Sequence, residues 1–162
     1  FANEVDVLRN HGSRQRYHHA TIGYNSRLDE LQAVVLRAKF PHLDSYNERR
    51  RNNAHLYTAR LKNSPIIPPA EDGKGTHVYH QYTVLSPRRD RLQQVLAGSG
   101  IASAVYYPIP LHRQEVYREV CADLHFPVAE RVAEQVLSLP MYPELTEEQI
   151  HRICDVLLDA VK

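Results

Sequence analysis

The chain has 162 residues, 43% hydrophobic and 24% charged, with a formal net charge of +1. That length is enough for one domain with its own core, and the composition is that of an ordinary globular protein. The charge balance excludes a global attraction to nucleic acid or to an anionic membrane, and no apolar run approaches the roughly 18 residues that span a bilayer.

Two isolated thiols, Cys121 and Cys154, argue against a disulfide framework or a cysteine zinc site and point to a reducing, cytoplasmic setting. No signal-peptide pattern opens the chain. There is no initiator methionine, the 6 glycines are few for a complete cofactor-binding enzyme, and no Gly-rich phosphate loop is present. The chain therefore reads as a piece of something larger.

Residues 1–24 are polar and mixed, with Asn10-His11-Gly12-Ser13 as a turn signal. A helix is predicted from Ser26, which can cap it, with Asp29 three residues on approximating a capping box. Leu28, Leu31, Val35 and Ala38 give it one apolar stripe, and Phe40-Pro41 ends it. A longer helix follows over about 42–62, with the stripe Leu43, Tyr46, Arg50, Ala54, Tyr57 and Leu61; Arg50 on that face either snorkels or meets a carboxylate. Arg49-Arg50-Arg51 form no coherent basic patch, since successive helical residues point about 100° apart.

A breaker-rich loop spans Pro65–Gly75. Val78–Leu85 reads as a strand, and Ser86-Pro87 as the start of a helix carrying Leu92, Val95 and Leu96, stopped by Gly98 and Gly100. Ile101–Tyr107 is a second strand, 114–122 and 127–137 are helical, and Leu137-Ser138-Leu139 is a short strand before Pro140. Thr146 with Gln149 makes a capping box for a last helix bearing Ile150, Ile153, Leu157 and Val161. Two leading helices followed by alternating strands and helices give an α/β fold: a small, mainly antiparallel sheet with helices packed on it.

Among residues that carry chemistry, the 10 histidines invite a metal reading. His18-His19 are adjacent and His77 and His80 are three apart in a predicted strand, so neither pair converges on one ion, and no metal is expected. A hydrolase is disfavoured, with no Gly-x-Ser-x-Gly elbow and no cysteine in a plausible nucleophile motif. Gly23-Tyr24-Asn25-Ser26-Arg27 stands out. Gly23 permits a close backbone approach, and one amide with one guanidinium at a helix start suits a phosphate. Equally, Asn25 or Ser26 could simply cap the helix with Arg27 solvated.

Asn10-His11-Gly12 followed by Gly23-Tyr24-Asn25-Ser26-Arg27-Leu28-Asp29-Glu30-Leu31-Gln32-Ala33 is similar to the stretch downstream of the catalytic lysine in the DegT/DnrJ/EryC1/StrS aminotransferases. These are fold-type-I, pyridoxal-phosphate-dependent enzymes that aminate nucleotide-linked keto sugars. The likeness continues through Arg50, Ala54 and Tyr57, His77-Val78-Tyr79-His80, Gly100-Ile101, Tyr106–His112, Tyr117, Phe126–Glu130 and Leu137–Pro143. Val34 departs from it, since the family more often has a second alanine there.

The resemblance implies that Asn25 reaches across a homodimer interface to the cofactor phosphate of the neighbouring subunit, with Arg27 contributing beside it. It places Tyr107 and His112 near the sugar-nucleotide pocket and makes His77 a further candidate; packing at the sheet edge is the alternative for Tyr107 and His77. It also implies that residues 1–41 are the end of a large-domain region with a connecting helix, and 42–162 the small C-terminal domain.

Transamination needs a lysine to form the Schiff base and move the proton. The only lysines are Lys39, Lys62, Lys74 and Lys162, and none stands before Asn25 in the family's aromatic-rich lysine motif. The expected lysine lies upstream of Phe1, so this stretch alone is expected neither to transaminate nor to hold pyridoxal 5'-phosphate. The expectation is thus the C-terminal part of an aminotransferase that passes an amino group, with glutamate the usual donor, to a nucleotide-linked keto sugar. The alternative is a non-catalytic dimerisation or regulatory module of the same fold.

Overall fold

A computed structural model describes residues 1–162, which divide into two compact units, Phe1–Leu43 and Asp44–Lys162. The first unit opens with α1 (Ala2–Arg9), a helix the polar composition of this stretch did not suggest. A two-stranded hairpin, β1 (Ser13–Gln15) with β2 (His18–His19), follows the predicted turn, where His11 and Gly12 take φ of 59° and 74°. Then come α2 (Glu30–Lys39) and a 3-10 turn over Phe40–His42. No apolar side chain of this unit is buried, and Leu31 is 79% exposed. The chain holds its shape through backbone hydrogen bonds: Tyr24 N–H donates to Leu8 O (2.7 Å), His11 N–H to Tyr24 O (2.9 Å) and Ser26 N–H to Arg9 O (2.9 Å).

One expectation about α2, its start, is corrected. Its cap is Asp29, whose carboxylate accepts the Leu31 N–H at 2.9 Å, so the helix starts at Glu30 instead of beside Ser26. As expected, α2 ends at Phe40-Pro41, its last residue being Lys39, although a 3-10 turn follows directly. Phe40 stays in the α region (φ −55°, ψ −42°), and Pro41 sits in the first turn of the 3-10 segment, where its missing N–H has no helical partner to lose.

The second unit begins along α3 (Leu43–Leu61), which buries Ala54, Tyr57 and Leu61 from the predicted stripe. Arg50 meets an amide oxygen on its own helix, Asn47 Oδ1 at 3.4 Å, in place of a carboxylate. The sheet pairs β3 (Tyr82–Leu85) antiparallel with β4 (Val136–Leu139), in register Tyr82 with Leu139 and Leu85 with Val136. Single bridges extend it on both sides, Ile67 to Leu85 and Ala104 to Ser138. α4 (Arg89–Gly98) buries Leu92 and Leu96, and α6 (Glu147–Val161) buries Ile150, Ile153, Cys154 and Leu157. With α3 and the sheet these form one apolar core.

Polar ties lock the core's rim. Tyr57 stacks on Tyr82 with centroids 4.9 Å apart and donates its hydroxyl to Pro140 O at 3.1 Å. Asn53 Nδ2 donates to Tyr142 O (3.2 Å) and Leu145 O (3.3 Å), fixing the chain before α6 to α3. The Thr146–Gln149 capping box is present in both directions. At the end of α4, Gly100 (φ 70°) donates to Ala97 O and Ile101 to Leu96 O, the paired bonds of a Schellman ending.

Several predicted elements are shorter than expected, each for a local reason. The strand expected from Val78 starts at Tyr82, because Tyr79 takes φ 47° and gives its N–H to His77 Nδ1. Ser86, three residues before the helix starts, caps a turn instead of α4, accepting the Arg88 N–H at 3.2 Å. The strand expected over Ile101–Tyr107 is the single residue Ala104. Its ladder with β4 cannot grow, since Pro140 has no N–H and the Val136 N–H is taken by Val132 O. The helix expected at 114–122 is broken into 3-10 turns, Leu111–Arg113 and Glu115–Tyr117, with Gln114 extended between them. Val116 (79%) and Val120 (81%) are exposed there, so no burial supports a longer helix. α5 (Pro127–Gln135) ends two residues early because Val136 turns to ψ 136° and enters β4 directly.

Candidate functional site

Asn25 and Arg27 lie in the first unit, on the segment between the hairpin and α2. Asn25 forms an antiparallel bridge with Asn10, which fixes its backbone. The approach is close enough that a Cβ at Gly23 would meet Gly12 N at 2.1 Å and Leu8 O at 2.6 Å. Since Asp29 caps α2, the Asn25 side chain is not used as a cap. Asn25 and Arg27 stand two residues apart on this segment. Arg27 Nε donates to Asn25 Oδ1 at 3.4 Å, and both residues are exposed. One guanidinium and one amide NH2 side by side on a segment pinned by that bridge form a donor set that suits a dianionic phosphate.

Tyr107 and His112 lie together in the second unit. Both line a cavity of about 630 Å³ whose apolar walls include Ile109, Phe126 and Val132. The His112 side chain is only 7% exposed. Its Nε2 lies 2.8 Å from Glu130 Oε1, and its ring packs edge-on against Phe126 with centroids 4.9 Å apart. The same carboxylate oxygen accepts from Arg113 Nε (3.3 Å), Arg113 Nη2 (3.1 Å) and the Phe126 N–H (3.4 Å). The His112 hydrogen bond above all holds the Glu130 carboxyl down at about 2; burial opposes it, and the Phe126 N–H and Arg113 add lesser lowering effects.

His77 is not among the residues lining that cavity. Its Nδ1 accepts the Tyr79 N–H at 3.0 Å, and its ring sits 4.3 Å from that of Tyr79. Tyr79 is buried and donates its hydroxyl to Glu71, which also pairs with His55 Nε2 at 3.0 Å. Burial, then the Glu71 hydrogen bond, push the Tyr79 hydroxyl up to about 12, while the Tyr79 and His55 hydrogen bonds lower Glu71.

Glu130, Arg113, Glu71 and Tyr79 were not singled out as site residues from the sequence. Glu130 stands 18 residues from His112 and Glu71 stands 16 from His55, so no local spacing announces either pair. No helix is long and apolar enough to cross a membrane.

Comparison with known proteins places this geometry in context. The DegT/DnrJ/EryC1/StrS aminotransferase family matches over residues 1–158. A UDP-N-acetyl-3-dehydro-alpha-D-glucosamine 3-aminotransferase of Acidithiobacillus ferrooxidans is 53% identical over 150 residues, covering 93% of this chain and 40% of its own length. The structure of DesV from Streptomyces venezuelae, in complex with a ketimine intermediate, superimposes with a TM-score of 0.94 at 41% identity, over 99% of this chain and 44% of that one. The structure of ntda from Bacillus subtilis, with bound cofactor PMP, gives 0.87 at 26% identity, over 99% of this chain and 39% of that one. The chain thus spans about two fifths of the length of the relatives it matches. Family match, relatives and fold agree: this chain belongs to the DegT/DnrJ/EryC1/StrS aminotransferase family.

Proposed function

We propose that these residues are the C-terminal part of a pyridoxal-phosphate-dependent aminotransferase that passes an amino group from an amino acid, glutamate in the first instance, to a nucleotide-linked keto sugar. The observation that carries the reading is the family match over residues 1–158, with Asn25 and Arg27 exposed side by side on a pinned segment. In this reading residues 1–41 end the large-domain region and 42–162 form the small domain. The protein works in the cytoplasm, in keeping with the free thiols of Cys121 and Cys154.

The donor set fits a cofactor phosphate: Asn25, through its amide NH2, and Arg27, through its positive charge, would hold that group. In a homodimer with shared active sites, these two residues serve the neighbouring subunit's cofactor. Tyr107 and His112 form part of the wall for the sugar nucleotide, with the Tyr107 ring exposed and His112 as the polar group in an apolar surround. His77 contributes at the margin of the same region. When bound, pyridoxal phosphate supplies the electron sink for moving the amino group and its proton. The Schiff-base lysine comes from a part of the protein outside these residues, so this stretch alone is inactive.

The test uses the full-length protein. With pyridoxal phosphate it should develop a long-wavelength absorption band that glutamate bleaches, and a keto-sugar nucleotide should restore the band. Asn25→Ala should weaken cofactor retention about 10- to 100-fold, the value of a hydrogen bond to a charged group. Full-length protein that neither binds the cofactor nor responds to glutamate would favour a non-catalytic dimerisation or regulatory module.

A further inference from the structure

We infer that Glu130, with Arg113, is a positioning residue for His112. Its carboxylate holds the imidazole as the Nε2–H tautomer, so that Nδ1 is the acceptor the cavity wall offers to a hydroxyl or amide N–H of the substrate. This rests on the reading that His112 lines the sugar-nucleotide pocket.

The chemistry of the partners fixes the tautomer. An ionised carboxylate only accepts, so the ring nitrogen 2.8 Å from Glu130 Oε1 must carry a proton. Arg113 already supplies that carboxylate with a counter-charge through two donors, Nε and Nη2. Glu130 is thus not left unpaired, and with Nε2 committed to it Nδ1 is the ring nitrogen left for a substrate group. The same Arg113 Nη2 also lies 3.1 Å from His125 Nδ1, which helps to fix the guanidinium.

The ring is also fixed in place. Phe126 packs against it at an interplanar angle of 69°, and the Phe126 N–H is itself tied to Glu130. With 7% of the side chain exposed, His112 has little room to turn while these contacts last. The arrangement resembles the way a second carboxylate orients a metal-binding histidine, with a substrate group in place of the metal.

The experiment reads the ring nitrogens directly. In the full-length protein, long-range 15N–1H correlation of His112 should give one protonated-type nitrogen, Nε2, and one bare nitrogen, Nδ1. Glu130→Ala should pull the two nitrogens toward a common average, whereas Glu130→Gln, whose carbonyl still accepts from Nε2–H, should keep the wild-type pattern. A helix-starting role alone would not move these signals in a variant that stays folded. A wild-type ring protonated at Nδ1 overturns the inference, and so does an unchanged pattern in Glu130→Ala; the wild-type spectrum decides even if that variant does not fold.

In the full-length enzyme, Glu130→Ala and His112→Ala should each raise KM for the sugar nucleotide about tenfold, the worth of one hydrogen bond, and leave KM for glutamate unchanged. The double variant should be no worse than either single one, as for groups acting as a unit. If His112→Ala raises KM and Glu130→Ala does not, the positioning role fails while the pocket reading stands. If neither raises KM while the tautomer is as stated, the pocket reading fails instead.

Discussion

Replacing Gly23 by alanine should release the segment that carries Asn25. The added Cβ would stand 2.1 Å from Gly12 N, 2.6 Å from Leu8 O and 2.7 Å from the His11 carbonyl carbon, all backbone atoms that cannot swing aside as a side chain would. Relief requires the two backbone stretches to part. Three hydrogen bonds join them: Tyr24 N–H to Leu8 O, His11 N–H to Tyr24 O and Ser26 N–H to Arg9 O. At ~1 kcal/mol each their loss costs about 3 kcal/mol, while alanine returns at most ~1 kcal/mol by restricting the unfolded chain. The net cost is about 2 kcal/mol, or a roughly thirtyfold loss of protection for these amides. Native-state hydrogen exchange at His11, Tyr24 and Ser26 is the assay. Gly98→Ala is the control, since a Cβ there meets nothing within 4 Å. Protection in Gly23→Ala within about threefold of wild type, below the error band of such hydrogen-bond estimates, would refute the wedge.

Asn53→Ala removes two hydrogen bonds to Tyr142 O and Leu145 O and leaves both carbonyls without that donor. About 2 kcal/mol should be lost, lowering Tm by roughly 4–8 °C in thermal unfolding. Thr146→Ala deletes the side-chain half of the α6 capping box, and chemical denaturation should report about 1 kcal/mol. The Glu130 carboxyl, held at about 2 against an ordinary 4.5, contributes stability that is complete above pH 4.5 and disappears as pH falls through about 2. Acid titration of the Phe126 amide and of unfolding should show that loss in wild type and not in Glu130→Gln; overlaying curves would contradict it.

Helices that bury a stripe were legible in the sequence. α3, α4 and α6 follow from Ala54-Tyr57-Leu61, Leu92-Leu96 and Ile150-Ile153-Leu157, because burial of that face is what stabilises them. The last cap was equally readable, since Thr146 and Gln149 complete each other within four residues. Strand lengths were not, because pairing is decided by the neighbour. Ala104 stays a lone bridge on account of Pro140 and the occupied Val136 N–H, features of another part of the chain. α1 was hidden by its polar composition, and the start of α2 by the choice among Asn25, Ser26 and Asp29, all good caps. Within the candidate site, the sequence offered His112 and Tyr107 but not Glu130, whose link to His112 exists only once the 3-10 turn and α5 are folded side by side.

The direct passage of α5 into β4 has a mechanical consequence. A loop between two elements absorbs motion by twisting its own torsions, and here no residue is free to do so, since Val136 ends the helix and begins the strand at once. Glu130 stands six residues before that joint, about 9 Å along a helix at 1.5 Å per residue. Helix and strand should then open and close as one cooperative unit, with the amides of α5 exchanging at rates set by the buried sheet. The stiffness felt at the rim of the cavity is in this way borrowed from the core, through a hinge that has been left out.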